Sequence, residues 1–239
     1  MGSTYAQLSP RRALRAARTL AADPDDLPQV FTIIESLSGN TLHRIWKRMT
    51  KSESGRRILA TRPDIVSLLE DRAALARLPE GSLGRAYLAF VEREKISPEG
   101  IREAGRMGMT NEIPLSDPYD YVHSRMRDTH DLWHAAVGYH GDVLGETALL
   151  AFTYAQTRNP AIALIIGIGL LKTIGAPEAR AVIVEGYRRG RAAAWLADQE
   201  WETLLPLSLT EVKRRLNLDG TPVYTPIRSS ELKAQRAVA

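Results

Sequence analysis

The 239-residue chain has no cysteine. This excludes disulfides, thiolate metal sites, iron–sulfur clusters and a cysteine nucleophile, so any metal must be held by nitrogen and oxygen. Aromatic residues are sparse, with three Phe and four Trp. Long apolar runs are also missing. The most apolar stretch, PAIALIIGIGLL (160–171), ends at Lys172, whereas a bilayer-spanning helix needs about 20 residues. The stretch predicts a buried helix, or one with a greasy face turned to lipid or to a lipid tail. Neither sign of charge dominates: 32 Lys+Arg against 28 Asp+Glu leave a net +4. That excess suits an anionic lipid surface or a phosphate ligand. No basic stripe interleaved with aromatics and no base-reading motif accompanies it, so nucleic-acid binding is not expected.

What is present is ordinary for a globular chain, with 44% apolar and 25% charged residues. The length suits a single domain over 1–239 with ample core. Arginines interrupt the first apolar residues, so no secretory h-region is visible. PRRALRAARTL (10–20) reads as a short basic amphipathic helix, on the surface or docked at a membrane. Asp23, Asp25 and Asp26 arrive too early for an acid-poor transit peptide, and the expectation is a bacterial or mature protein.

Helix punctuation dominates the sequence. Ser9-Pro10, Ser97-Pro98, Asp117-Pro118 and Asn159-Pro160 each set a capping side chain before a proline suited to the first helical position. Ser208 and Glu211 have capping-box spacing and open LTEVKRRLNL, closed by Asp219-Gly220. Apolar residues recur at three and four, as in Leu83, Tyr87, Leu88 and Val91. Alternation occurs only in TPVYTPI (221–227), where the prolines argue against a strand. The expectation is an all-α fold, a single multi-helix domain of nine or ten helices, with Arg102–Asn111 as a connection and an irregular tail from Gly220.

Four of the five histidines, His123, His130, His134 and His140, fall within 18 residues. A helix opened by Asp117-Pro118 should run from 118 to Gly138. With His130 at zero, His134 lies at about 40°, Asp131 at about 100° and His123 at about −20°. Two imidazoles and a carboxylate thus share one arc, and an i,i+4 histidine pair is a chelating arrangement. Glu146 is a further candidate ligand, but on an unbroken helix it would sit about 18 Å along the axis from His134. A break among Gly138, Gly141 and a new N-cap at Asp142 would swing Glu146 back, placing a His/Asp/His/Glu metal site on a helical hairpin. Such a set suits a divalent metal, Zn²⁺, Mn²⁺ or Fe²⁺, and suits Ca²⁺ poorly. His123 and His140 read as supporting or structural residues. HDLWH departs from the H-E-x-x-H metalloprotease motif, because Asp131 is too short for a reaching base.

His130-Asp131-x-x-His134, eleven residues, then Glu146 resembles the HDxxH-x11-E signature of the fourth Coq protein of ubiquinone (coenzyme Q) biosynthesis. RMRDTHDLWHAAVGYHGDVLGETALLAF (125–152), SESGRRILATRP (52–63), LPEGSLGRAYLAFV (78–91) and LPLSLTEVKRRL (205–216) are similar to that family, over about residues 40–217. The resemblance implies an all-helical fold and metal ligands at His130, Asp131, His134 and Glu146. It implies a lyase activity: removal of the C1 carboxyl from a polyprenylated hydroxybenzoate-type precursor, with hydroxylation at that carbon. It also implies a lipid-binding, peripheral membrane protein that assembles with other ubiquinone biosynthesis proteins. The expected site of action is the cytoplasmic side of a bacterial inner membrane, or the matrix side of the mitochondrial inner membrane in a eukaryote.

The residues fit such a substrate, which needs a carboxylate site beside a greasy channel. TALLAFTYA (147–155) and the 160–171 segment follow Glu146 directly, and Gly167 and Gly169 would admit close approach of a tail or helix. Arg188, Arg189 and Arg191 would meet a carboxylate or lipid phosphate, or form a solvated face. Zinc could only polarise the substrate, whereas iron could also exchange electrons. Two alternatives share these features. One is a non-catalytic prenyl-lipid-binding scaffold, homo-oligomeric or not. The other is a metal phosphohydrolase of the HD type, for which the remaining pattern is missing.

Overall fold

The computed structural model describes residues 8–109, 115–218 and 220–230. Fifteen α-helices form among them, with no strand. The first eight are α1 (Pro10–Ala22), α2 (Leu27–Leu37), α3 (Thr41–Met49), α4 (Glu53–Thr61), α5 (Ile65–Glu70), α6 (Arg72–Arg77), α7 (Leu83–Glu94) and α8 (Pro98–Gly108). Then come α9 (Tyr119–Asp128), α10 (His130–Val137), α11 (Val143–Thr157), α12 (Pro160–Lys172), α13 (Pro177–Ala192), α14 (Trp201–Leu204) and α15 (Leu209–Leu216). The all-α expectation holds. The helices outnumber the nine or ten expected because several, such as α5, α6 and α14, are one or two turns long.

Most of the predicted starts are where the sequence places them. Ser97, Asn159 and Ser208 accept hydrogen bonds from the first-turn amides of α8, α12 and α15. Asp117 does not cap: its carboxylate takes Arg62 at 2.6 Å, and Pro118 occupies the N-cap position of α9. The single helix expected over 118–138 is broken at Thr129. The Thr129 side chain, buried, donates to the carbonyl of Arg125 four residues back (2.8 Å), an interaction that bends helices. Arg102–Gly108 is helical, not a connection; its glycine Gly108 faces Pro28 of α2, whose carbonyl a Cβ would approach to 2.1 Å. Thr110 and Asn111 lie outside the described residues, as does Asp219.

The main core gathers Trp133, Leu132, Val137, Tyr87, Leu88, Phe152 and Trp201 from α7, α10, α11 and α14. α11 and α13 pack at unusually short range. A Cβ on Gly186 would stand 2.2 Å from the Ala148 carbonyl, and one on Gly190 2.4 Å from the Phe152 carbonyl. The constant offset shows that the two helices run parallel, α12 being the return segment that joins them in the chain. The apolar α12 buries Ala161 and Ile165 against α1 and α2, and Ile162 and Ile166 toward α13. Gly169 meets Thr147 of α11, whereas Gly167 has nothing within 4 Å. Tail residues 221–228 form no regular element, in line with the prolines.

Candidate metal centre

α10 ends at Gly138, whose φ of +96° is a left-handed C-cap that glycine adopts without Cβ strain. Four residues on, Asp142 caps α11 by accepting the amides of Leu144 (3.1 Å) and Gly145 (3.2 Å). The chain therefore reverses within 138–142, and Glu146 in the first turn of α11 comes back over α10. Its Oε1 lies 3.1 Å from His134 Nε2 and its Oε2 3.8 Å from His130 Nε2. One donor atom from each of His130, His134 and Glu146 falls within 4.8 Å of the others.

Asp131 stands on the other side of His130, with Oδ1 3.2 Å from Nδ1. His134 Nδ1 lies 3.1 Å from the Tyr139 carbonyl. A carboxylate and a carbonyl are acceptors only, so both Nδ1 atoms carry the proton and direct both Nε2 atoms at Glu146. His134 Nε2 is buried without a hydrogen-bond partner of its own. The imidazole nitrogens and the Glu146 oxygens thus converge with no donor between them unless the rings are cationic. That arrangement asks for a cation, and imidazole held by a carboxylate or carbonyl at its far nitrogen is the usual setting of a metal-bound histidine.

Electrostatics agree with the geometry. Burial would raise the Glu146 pKa, but the neighbouring His134 and His130 overcome it and hold the carboxyl at about 2. Burial would lower His130, and the Asp131 bond together with the Glu146 and Asp131 charges raise it instead. The His134 side chain is sealed at 0% exposure, stacked on Phe90 of α7 with centroids 4.9 Å apart. Glu146 keeps 39% of its side chain open, because it borders a cavity of about 1450 Å³.

His130, Asp131 and Glu146 line one part of that cavity. Elsewhere its wall is largely apolar, including Phe31, Ile34, Leu144, Leu150, Ile162 and Ile165 from α2, α11 and α12. His123 also lines it, and burial lowers its pKa, with Arg127 adding to the effect. His140 turns away, edge-on to Tyr224 at 5.8 Å. Among the three arginines singled out in the sequence, Arg189 donates to the carbonyls of Val137 (3.0 Å) and Gly220 (3.1 Å), tying down the end of α10. Arg188 is exposed beside Glu185. None of the three lines the cavity. Phe90 and the Tyr139 carbonyl leave no signal in the sequence: the first is distant in the chain, and the second is backbone, to which no side-chain pattern points.

Fold and donors together define an all-α protein with a His/His/carboxylate cluster on the wall of a large apolar cavity. A family model described as coenzyme Q (ubiquinone) biosynthesis protein Coq4 matches residues 10–222, and the chain belongs to that family. The match takes in α1 and α2, where the sequence alone had offered no resemblance. Ubiquinone biosynthesis protein coq4, mitochondrial, of Aspergillus clavatus is 30% identical over 200 residues, covering 82% of this chain and 67% of the relative. A Culex quinquefasciatus relative, ubiquinone biosynthesis protein COQ4 homolog 1, mitochondrial, is 31% identical over 212 residues, 87% of this chain and 75% of its own. The crystal structure of a Nostoc punctiforme protein superposes with a TM-score of 0.65 at 23% identity, over 90% of this chain and all of that one. That likeness supports the fold.

Proposed function

We propose that the protein is a metal-dependent enzyme of ubiquinone biosynthesis that replaces the C1 carboxyl of a polyprenylated hydroxybenzoate-type precursor with hydroxyl, the carboxyl leaving as CO2 and molecular oxygen serving as the two-electron oxidant. The observation that carries the reading is the convergence of His130 Nε2, His134 Nε2 and the Glu146 carboxylate beside an apolar cavity. His130, His134 and Glu146 hold a divalent ion, Zn²⁺, Fe²⁺ or Mn²⁺, with Asp131 fixing His130 from its far nitrogen. Such an ion supplies Lewis-acid stabilisation to a carboxylate or phenolic oxygen, and iron would add electron transfer.

The chain's own residues do the rest. Asp131 and the Tyr139 carbonyl hold the imidazole protons on Nδ1 and keep both Nε2 lone pairs directed inward. Phe90 covers His134 and keeps water from that side. The apolar walls of α2, α11 and α12 bury the prenyl tail and so hold the ring at the polar part of the cavity. Among the described residues no helix is long and apolar enough to cross a membrane, and the protein meets its substrate peripherally at the membrane surface. The relatives named above are ubiquinone biosynthesis proteins, which supports a place among other proteins of that process.

The experiment pairs metal analysis with turnover. His130→Ala is expected to lose its metal and all product while circular dichroism shows the fold intact. Full metal content and activity in that variant would overturn the assignment. Metal loss with normal ubiquinone production in cells would favour a non-catalytic prenyl-lipid scaffold.

A further inference from the structure

Residues 223–228 lie beyond the family match, which ends at 222, yet they are bound to the loop that forms the candidate centre. The Tyr224 hydroxyl donates to Asp142 Oδ2 at 2.9 Å and accepts the His140 amide at 3.0 Å. Ile227 pairs with the same turn through its backbone: its amide donates to Asp142 Oδ1 (2.8 Å), and its carbonyl accepts the Val143 amide (3.0 Å). Asp142 is 2% exposed. Its two oxygens are therefore filled by α11 on one side and by the tail on the other.

The tail reaches both halves of the centre. Asp142 caps the helix that carries Glu146 in its first turn. The Tyr224 ring packs against Tyr139 with centroids 6.0 Å apart, and Tyr139 supplies the carbonyl that orients His134. Glycine is needed at 145, where a Cβ would stand 2.2 Å from the His140 carbonyl and 2.4 Å from the Tyr224 hydroxyl.

We infer that Tyr224 is a positioning residue for the metal centre: its hydroxyl and ring lock the 138–142 reversal so that Glu146 meets His134 and His130. The inference rests on the reading of His130, His134 and Glu146 as metal ligands. Outer partners of metal ligands typically contribute about 10–100-fold to affinity. Tyr224 acts one step further out, through Asp142 and Tyr139, so the effect belongs at the lower end.

The test uses the full chain stripped of metal and titrated with Co²⁺, whose visible absorption reports ligand geometry. Tyr224→Phe keeps the ring and removes the hydroxyl; Tyr224→Ala removes both. The expected result is a loss of roughly tenfold in Co²⁺ affinity for Tyr224→Phe and a larger one for Tyr224→Ala. An altered Co²⁺ spectrum should accompany both, measured where each variant is fully folded. A second readout needs no metal: amide hydrogen exchange at Leu144, Gly145 and Glu146 should speed up in Tyr224→Phe. Wild-type affinity, spectrum and exchange in Tyr224→Phe would overturn the inference, and so would lowered thermal stability with all three unchanged. If the wild-type chain bound no Co²⁺, the metal reading would fail, and the exchange rates would still decide whether Tyr224 fixes the loop.

Discussion

His134 Nε2 and Glu146 Oε1 lie 3.1 Å apart although eleven residues stand between them in the chain. Neither the helix before nor the helix after could bring them together. The contact depends on a left-handed Gly138, a reversal through 139–141 and a new cap at Asp142. The buried imidazole faces an ionised carboxylate, with its other nitrogen committed to the Tyr139 carbonyl, and the proposed metal site rests on this geometry.

Proton competition at this centre gives metal binding a defined pH dependence. His130 must be neutral at Nε2 to ligate, and Asp131 and Glu146 raise its pKa above the ordinary value despite burial. Glu146, held at about 2, stays ionised throughout. Zn²⁺ affinity should therefore fall as pH drops through the raised His130 pKa, by about tenfold per unit for each proton displaced, and flatten above it. Asp131→Asn removes one raising contribution and should move the break to lower pH. Calorimetric titrations between about pH 5 and 8 check this; affinity independent of pH would contradict it.

Close packing of α11 on α13 reverses the usual effect of a glycine substitution. Gly→Ala inside a helix ordinarily stabilises by about 1 kcal/mol. At Gly186 the new methyl would meet the Ala148 carbonyl at 2.2 Å, a backbone atom that cannot swing aside. Gly186→Ala is expected to destabilise by about 1–3 kcal/mol. Melting temperature should fall by roughly 2–4 °C for each kcal/mol. An unchanged or raised melting temperature would show that the helices can separate freely.

Filling the apolar end of the cavity should separate tail binding from metal binding. Val30 and Ile162 both line it. Val30→Trp or Ile162→Trp should weaken binding of a prenylated benzoate by roughly tenfold, about 1.4 kcal/mol. Co²⁺ affinity should stay at the wild-type value, because neither residue touches the ligands. Equal lipid affinity in both variants would place the tail elsewhere.

Much of this arrangement was legible in the sequence, and the reasons are local. The caps Ser97, Asn159, Asp142 and Ser208 and the stop at Gly138 are short-range signals whose physics needs only neighbouring residues. The reversal that returns Glu146 was readable from glycine spacing and one aspartate. What escaped depends on context distant in the chain. Asp117 is drawn away from capping by Arg62, fifty-five residues earlier. Thr129 breaks the histidine helix because its side chain is buried and turns back to Arg125. Gly108, which reads as loop, serves a close approach of α8 to α2. Phe90, Tyr139 and Tyr224 support the centre through stacking, a backbone carbonyl and a tail contact, none of which leaves a periodic trace.

The central claim, that His130, His134 and Glu146 hold a metal on which turnover depends, is tested most directly by elemental analysis of the purified chain beside Glu146→Gln. The account predicts about one divalent metal ion per wild-type chain. It predicts a strongly reduced content in Glu146→Gln, with the helical fold retained and no product from a prenylated hydroxybenzoate. A wild-type chain that turns over without metal, or a Glu146→Gln variant with full metal content, would contradict it.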